Sequence, residues 1–439
     1  MSYSTQQKEG AEKNKIYPED LPVHRWYRFV LSYPPHLVRD YLDKFEVTEE
    51  QRVLDPFCGT GTTVVECKKQ GIPSIGLEGM PVVHFAAKTK ADWDIDPEAL
   101  LQNAEEVAEK TRSLLTKEGV KDDSIFEPLA EGKDVDLRTV DEDKDRLLIK
   151  DSMNEKPMHK VLALQEVMGE AASPQHISHF RVALARELVN SISNLRFGPE
   201  VGVSKRKLKE GDRPVVKPWL EAVRQISEDL EEVEGNRHVP AEVRLADSRS
   251  LEERLSPNSI DAVITSPPYP NEKDYSRTVR LESVMLEFMT DRDELQNQKK
   301  NLMRSNTRTV YVDDDDDKWI EDFPRVKKLA NKIEEKRKEL GKTSGFHKYY
   351  HRVVSLYFGG MTKHLRELRK ALRPGASLAY VIGDQASFFR IPIRTGEILA
   401  DIADDLGYEV EDIELFRTRQ ATATNDDLRE EVLRLKWNG

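Results

Sequence analysis

Short apolar segments alternate with helical segments along much of this chain, and this alternation constrains the fold more than any other feature. The apolar segments lie at residues 52–55, 73–77, 242–246, 261–265 and 377–382. Helical periodicity is found at residues 62–70, 82–91, 349–372 and 395–406, and a last strand pair begins near Tyr408. Because strands that alternate with helices pack as a parallel sheet covered on both faces, the sequence predicts an α/β fold with a doubly wound, mostly parallel sheet.

Two charged, helical segments interrupt this pattern, and the first, 96–240, shows no clear strand. The expected division is a disordered leader (1–20), a first core part (21–95), a helical insertion (96–240), a second core part (241–272), a charged helical insertion (273–345), the rest of the sheet (346–425) and a C-terminal tail (426–439). Within the second insertion, the acidic run Asp313–Asp317 is expected to be a surface loop.

Composition limits the class of protein. The first 15 residues lack the apolar stretch of a signal peptide, and no apolar run approaches the length of a membrane span. The two cysteines, Cys58 and Cys67, share one short segment, which argues against a disulfide framework and a cysteine-rich metal site. We therefore expect a cytoplasmic protein with no membrane partner and no bound metal.

The charge distribution leaves two interpretations open. The net charge of −12 counts against a nucleic-acid partner, but basic residues cluster in 325–342 and 348–373. These clusters are either strips that follow a phosphate backbone or ordinary solvated helix faces.

The first candidate site is the segment VLDPFCGTGTT, residues 53–63. An apolar strand ends at Asp55, and a loop with Gly59 and Gly61 opens a helix, so backbone N–H groups can approach a ligand closely. Glu78 ends the next strand, where a carboxylate can accept hydrogen bonds from ribose hydroxyls. The loop lacks the third glycine of a dinucleotide fingerprint and the Gly-Lys-Ser/Thr of a triphosphate loop.

The second candidate site is the segment DAVITSPPYPN, residues 261–271. The apolar run stops at Ser266, Pro267, Pro268 and Tyr269. Alone, such a corner is typical of a turn, since prolines end strands. Its place after a strand and downstream of the glycine loop favours a functional corner.

Both segments resemble a known family. Asp-Pro-Phe-Cys-Gly-Thr-Gly-Thr-Thr is similar to the S-adenosylmethionine loop of the DNA amino-methyltransferases, and Ser-Pro-Pro-Tyr is similar to their catalytic motif. HRWYRFVLSYPPHLVRDYL (24–42) and RLADSRSLEERLSPNSIDAVITSPPYPN (244–271) resemble the segments before each motif. The resemblance covers about 21–95, 241–275 and 346–420, and it implies a Rossmann-like methyltransferase sheet interrupted by helical insertions.

The resemblance also implies a cofactor, S-adenosylmethionine, and the residues that bind it. These are Asp55, Pro56, Phe57, Gly59 and Gly61 for the methionine end, Glu78 for the ribose and Asp247 for the adenine amino group. Asp247 departs from the family pattern, because a long insertion separates it from Glu78. Its other interpretation is a helix N-cap after a strand.

The expected chemistry is methylation of an exocyclic base amine. Such a nitrogen is a poor nucleophile, so catalysis needs fixed acceptors for its two N–H bonds. Ser266 Oγ and the Pro267 carbonyl would supply them, Pro268 would stiffen the corner, and Tyr269 would stack on a base flipped out of double-stranded DNA. Methylation of cytosine carbon 5 is excluded, because it needs a cysteine nucleophile outside the cofactor segment.

The sequence therefore predicts a site-specific DNA methyltransferase of a restriction-modification type, with a cognate nuclease as a further expected partner. Cytosine N4 is the favoured target, because serine at the first motif position goes more often with cytosine N4 in this family. The alternatives are an adenine-N6 DNA enzyme, an RNA base amino-methyltransferase and a catalytically silent nucleic-acid-binding module. The insertions, 273–345 above all, are expected to hold the duplex and recognise the target.

Overall fold

The computed structural model describes residues 13–27, 32–122, 135–197, 201–271, 273–420 and 427–439. Most of the expected leader, residues 1–12, lies outside this part. Residues 18–20 form a 3-10 turn, and the buried Asp20 accepts a hydrogen bond from Arg39 Nη2 at 2.7 Å. The described end of the leader thus packs on the core, contrary to the expectation of disorder, because this ion pair anchors it.

Seven strands form one sheet in the described residues, and two more form a separate hairpin. The strands are β1 Val53–Asp55, β2 Ser74–Glu78, β3 Leu195–Phe197, β4 Val201–Val203, β5 Ala241–Leu245, β6 Ile260–Thr265, β7 Leu372–Gly383, β8 Glu409–Gln420 and β9 Asp427–Trp437. The order in the sheet is β5-β2-β1-β6-β7-β9-β8. The pairs from β5 to β7 are parallel, and β9 runs antiparallel to both β7 and β8.

Fifteen α-helices surround these strands in the described residues. They are α1 Pro35–Lys44, α2 Thr62–Lys69, α3 Pro81–Ala91, α4 Pro97–Lys117, α5 Glu142–Leu147, α6 Glu155–Ala171, α7 Ile177–Glu187, α8 Lys205–Glu210, α9 Val216–Glu232, α10 Tyr275–Thr278, α11 Arg280–Met285, α12 Arg292–Lys300, α13 Pro324–Glu339, α14 Tyr350–Leu368 and α15 Thr395–Asp405.

The central strands are buried on both faces, which explains their continuous apolar sequence. Leu54 and Val263 pack with Tyr357 and Phe358 of α14 on one face. The intervening positions on β1 and β6 pack on the opposite face with α1. Because successive strand residues point to opposite faces, one apolar run fills two cores. The predicted doubly wound, mostly parallel sheet is confirmed.

The first insertion contains the hairpin, and its helices form a second core together with residues of the N-terminal segment and of α3. Phe180 of α7 and Trp219 of α9 are fully buried in it, and the Trp219 indole N–H donates to the Phe180 carbonyl at 3.0 Å. The expectation of no strand in 96–240 is wrong, since β3 pairs with β4 here. Three-residue strands are too short to show an alternating pattern in sequence.

The acidic run Asp313–Asp317 is not simply a surface loop. Asp316 is buried and accepts a hydrogen bond from Arg249 Nη1 at 2.5 Å, and Asp314 accepts one from Arg304 Nε at 2.8 Å. The segment can lie against α14 because Gly359 has no side chain: a Cβ there would be 1.9 Å from the Asp316 carbonyl oxygen. Two arginines thus neutralise part of the run.

The expected C-terminal tail, 426–439, contains a strand of the core instead. Strand β9 lies between β7 and β8, with Leu433 and Leu435 buried. Charged residues of β9 pair with residues of the neighbouring strand: Arg434 Nε lies 2.9 Å from a carboxylate oxygen of Glu414 in β8. Pairing with β8 and β7 makes this charged segment part of the sheet.

Candidate active site

The glycine loop after β1 and the proline corner after β6 line one cavity. Strand β1 lies between β2 and β6 in the sheet, so the carboxyl ends of these three strands meet at one edge. The cavity has a volume of about 500 Å³. The predicted residues on its wall are Pro56, Phe57, Gly59, Glu78, Ser266, Pro267, Pro268 and Tyr269.

The two loop glycines have different roles. Gly61 precedes α2 with φ of +82°, and a Cβ there would lie 3.3 Å from Ala87 Cβ, so glycine is needed for backbone conformation and packing. Gly59 has φ of +52°, and no heavy atom lies within 4 Å of where its Cβ would be. The backbone at Gly59 is therefore open to a ligand in the cavity.

Glu78 connects the loop to the end of β2. Its Oε2 accepts a hydrogen bond from Gly59 N at 3.1 Å, and Oε1 accepts one from Met80 N at 2.7 Å. Burial raises the pKa of Glu78 to about 7, although the backbone N–H groups of Met80 and Gly59 oppose this rise. The cavity wall thus contains a carboxyl group that changes charge near neutral pH.

Asp55 lies behind the cavity wall and is fully buried. Its Oδ1 accepts from Phe57 N at 3.1 Å and from Thr265 Oγ1 at 2.5 Å, and its Oδ2 accepts from Tyr33 OH at 2.8 Å. Burial raises the pKa of Asp55, and these donors lower it. The carboxyl group thus joins the glycine loop to the strand that ends in the proline corner.

Ser266 makes a defined hydrogen bond at the corner. Its hydroxyl donates to the Val381 carbonyl of β7 at 3.0 Å. Since this bond uses the only proton of the hydroxyl, the remaining capacity of Ser266 Oγ is to accept. The neighbouring Tyr269 ring lies against Gly383, where a Cβ would be 3.0 Å from Tyr269 Cε2. A side chain at Gly383 would displace the ring.

Comparisons with known proteins agree with this geometry. A family model described as DNA methylase matches residues 2–89, which include the glycine loop and Glu78. Type II methyltransferase M.BsoBI from Geobacillus stearothermophilus is 25% identical over 92% of this chain and 82% of the relative. Type II methyltransferase M.AvaI from Nostoc sp. is 21% identical over 92% of this chain and 82% of the relative. Type II methyltransferase M.MvaI from Kocuria varians is 22% identical over 87% of this chain and 80% of the relative.

These matches relate the chain to the DNA amino-methyltransferases, through the family model over its first part and through the relatives over most of its length. They support DNA methyltransferase activity with S-adenosylmethionine as the methyl donor. The family includes both N4-cytosine and N6-adenine enzymes, so the similarity leaves the base open.

The methyltransferase cavity fits this cofactor. It combines an open glycine backbone, a buried carboxyl group at a neighbouring strand end and the apolar wall residues Phe57, Leu77 and Val83. These features suit a ligand with an amino-acid end, a ribose and an aromatic base.

Asp247 and Gly61 do not line the cavity. Asp247 Oδ1 accepts from Arg249 N at 2.9 Å, and Oδ2 accepts from Arg249 Nη2 at 2.7 Å. Its neighbours Ala246 and Ser248 are on the cavity wall instead. Asp247 is thus paired with an arginine at the end of β5.

The sequence interpretation missed several wall residues of the methyltransferase. Tyr33 lies in the segment before the glycine loop, and its conspicuous Ser-Tyr-Pro-Pro context could have drawn attention to it. Segments 301–306 and 416–419, with Lys273 and Glu430, also reach the wall. No local pattern singles these residues out, because the long-range packing of separate segments places them there.

Two kinds of feature are absent from the described residues. No cluster of three His, Cys, Asp or Glu side chains suited to a metal ion occurs in that part of the chain. No helix there combines the length and apolar character needed to cross a membrane.

Proposed function

We propose that this methyltransferase transfers a methyl group to N4 of cytosine within a short DNA sequence. The observation that carries the proposal is the Ser266 hydroxyl, which lines the cavity and donates to the Val381 carbonyl. This bond orients the oxygen as an acceptor before any base enters.

The acceptors at the corner activate the amine. Ser266 Oγ and the Pro267 carbonyl each accept one N–H bond, which draws the nitrogen away from conjugation with the ring. Proline has a fixed φ, so Pro267 and Pro268 hold both acceptors in place without reorganisation. The amine then has its lone pair available for the methyl group.

The residues on the other side of the cavity hold the cofactor, which supplies an electrophilic methyl sulfonium when bound. The loop backbone from Pro56 to Gly59 contacts its methionine end, and Glu78 accepts from its ribose hydroxyls. Asp55 positions that loop through the Phe57 N–H, and Gly61 allows α2 to start beneath it. Asp247 is not included among the proposed contacts, because its carboxylate is paired with Arg249.

Tyr269 holds the extruded base by stacking. The ring is on the cavity wall and is supported by the backbone of Gly383. An aromatic face can hold any base, so Tyr269 contributes affinity and orientation. Base flipping therefore belongs to this proposal, as does a nuclease partner that cuts the unmethylated sequence.

The choice of cytosine depends on the size of the side chain at the corner. Serine is shorter than the aspartate or asparagine found with adenine-N6 enzymes, so the accepted amine lies closer to the main chain. The smaller pyrimidine ring suits that position. The family tendency of serine towards cytosine N4 agrees with this argument.

The test is a methyl-transfer assay with labelled S-adenosylmethionine and a mixed-sequence DNA duplex, followed by digestion and mass spectrometry of the nucleosides. We expect label in N4-methylcytosine. Label only in N6-methyladenine would overturn the choice of base and keep the mechanism, and label only on RNA would overturn the substrate.

Ser266→Ala should lower turnover by about 10²-fold or more, since losing one positioned hydrogen-bonding group at a reacting centre has this effect. The affinity for S-adenosylmethionine should stay unchanged. Ser259→Ala is the matched control, because Ser259 lies at the opposite end of β6 and its hydroxyl donates to the Ser256 carbonyl, at 2.6 Å. Equal turnover of both variants would exclude Ser266 as an acceptor.

A further inference from the structure

A groove lined by basic side chains runs beside the catalytic cavity. It has a volume of about 450 Å³ and contains Lys150, Arg277, Arg280 and Arg308, with Asp274 as its acidic member. We call these residues the basic groove. Four cations gathered in this way stand out in a chain whose net charge is −12.

Asp274 offsets only part of this positive charge. Its Oδ2 accepts from Lys299 Nζ at 3.1 Å and its Oδ1 from Ser276 Oγ at 2.6 Å. Lys299 and Ser276 lower the pKa of Asp274 against the effect of burial. The Asp274 carboxylate thus interacts with both Lys299 and Arg280, and the groove keeps more cations than acidic groups.

Three cations of the basic groove are available to a ligand. Lys150, Arg277 and Arg308 are exposed, and no carboxylate of the described residues lies within ion-pair distance of them. Arg308 is held near the ring of Phe346, with 5.4 Å between the guanidinium carbon and the ring centroid. A planar, always charged guanidinium in the open suits recognition of phosphate.

The fourth cation joins the two insertions beneath the groove. Arg280 Nε donates to the Ser276 carbonyl at 3.2 Å, and Nη1 donates to the Leu147 carbonyl at 3.5 Å. Lys150 belongs to the first insertion, and the three arginines of the groove belong to the second. The groove exists only when both insertions are in place.

Two chain segments lie between the basic groove and the catalytic cavity and contribute side chains to both. Tyr275 and Val279 line the cavity, and Arg277 between them lines the groove. Asn306 and Thr309 likewise line the cavity, and Arg308 between them lines the groove. The segments that line the cavity therefore also carry two of the cations of the groove.

We propose that the basic groove binds the phosphate backbone of duplex DNA beside the extruded nucleotide. This inference rests on the proposed function, since it takes DNA with a flipped base as the substrate. The proposed phosphate site is therefore the basic groove and not the basic cluster of residues 325–342. There, Arg325 pairs with Glu397 and Asp401, Lys336 with Glu339, and Arg337 with Glu334.

The test compares two double variants of the full chain. Arg277→Gln with Arg308→Gln removes two cations of the groove. Arg52→Gln with Arg237→Gln removes two exposed arginines before β1 and β5, at the opposite edge of the sheet. The binding constant for a fluorescently labelled, non-specific DNA duplex is measured by fluorescence anisotropy at several salt concentrations from about 50 to about 200 mM.

We expect the groove variant to reduce the slope of log Kobs against log salt by about 2, close to 0.9 for each lost phosphate contact. The control variant should keep the wild-type slope, and both should bind S-adenosylmethionine as the wild type does. Equal slopes for the two variants would overturn the groove as a phosphate site.

Failure of the proposed function gives a different result, because the slope is measured without turnover. If the wild type methylates adenine and the slope difference remains, the choice of base is overturned and the groove stands. If cytosine is methylated and the slopes are equal, only the groove is overturned.

Discussion

Glu78 shows how the surroundings of one residue control the cavity. Its carboxyl group is buried at the end of β2, and its pKa of about 7 lies above the ordinary value of 4.5. Because the folded pKa is raised, Glu78 stabilises the fold most below pH 4.5, and this contribution is lost as the pH rises from about 4.5 to 7. Binding of a ribose favours the opposite, ionised form.

The affinity for S-adenosylmethionine should therefore increase with pH through the neutral range. If only ionised Glu78 accepts from the ribose, binding should be about tenfold weaker at pH 6 than at pH 8. Isothermal titration calorimetry at several pH values measures the affinity of the wild type and of Glu78→Gln for S-adenosylmethionine. Ionisation of the cofactor itself affects both proteins equally, so the difference between them reports on Glu78. The same pH dependence in the two proteins would contradict the role of Glu78.

Helix α14 and the 3-10 helix Asp316–Ile320 show how elements of different parts of the chain depend on each other. Gly359 and Gly360 of α14 allow the acidic run and Met303 to pack directly on the helix. Met303 and its neighbours continue to the cavity wall. The packing of one helix thus determines where part of the wall lies.

Gly359→Ala should destabilise the protein by at least about 1–3 kcal/mol, because its Cβ would meet the Asp316 carbonyl. Gly169→Ala is the matched control at an exposed position of α6, where nothing lies within 4 Å of a Cβ. There, alanine should stabilise by about 0.5–1 kcal/mol. Urea unfolding followed by circular dichroism measures both, and a neutral Gly359→Ala would show that the 3-10 helix moves freely.

The whole molecule depends on contacts between the first insertion and the N-terminal segment. Asp229 of α9 is fully buried and accepts from Val23 N and Trp26 Nε1, each at 2.8 Å, and from Arg25. These residues are more than 200 positions apart in sequence. The chain that leads into Tyr33 and the cavity is thus anchored by the insertion.

Asp229→Ala should destabilise the protein by about 3–5 kcal/mol, since it leaves buried donors and Arg25 without their acceptor. Glu106→Ala is the control, because it removes an exposed pair with Lys110 and should change stability by less than about 1 kcal/mol. Urea unfolding of both variants is the measurement. Similar losses would mean that Asp229 contributes no more than a surface charge.

The sequence by itself determined the parts of this methyltransferase that depend on neighbours along the chain. The strand before Asp55, the glycines that open α2 and the proline corner after β6 each combine an apolar run with turn-forming residues. Hydrophobic periodicity and backbone restriction act over a few residues, so they are visible in one sequence. The doubly wound sheet followed from their order.

Only the tertiary structure decided what distant segments do together. In the folded chain, β9 lies inside the sheet and Asp316 pairs with Arg249. The Ser266 hydroxyl donates a hydrogen bond to the Val381 carbonyl, and Arg277 and Arg308 lie in one groove with Lys150. Glu78 is the last residue of β2 and lines the cavity, whereas Asp247 lies two residues beyond β5 and its carboxylate pairs with Arg249. Burial and pairing depend on residues tens or hundreds of positions away, and no local pattern records these contacts.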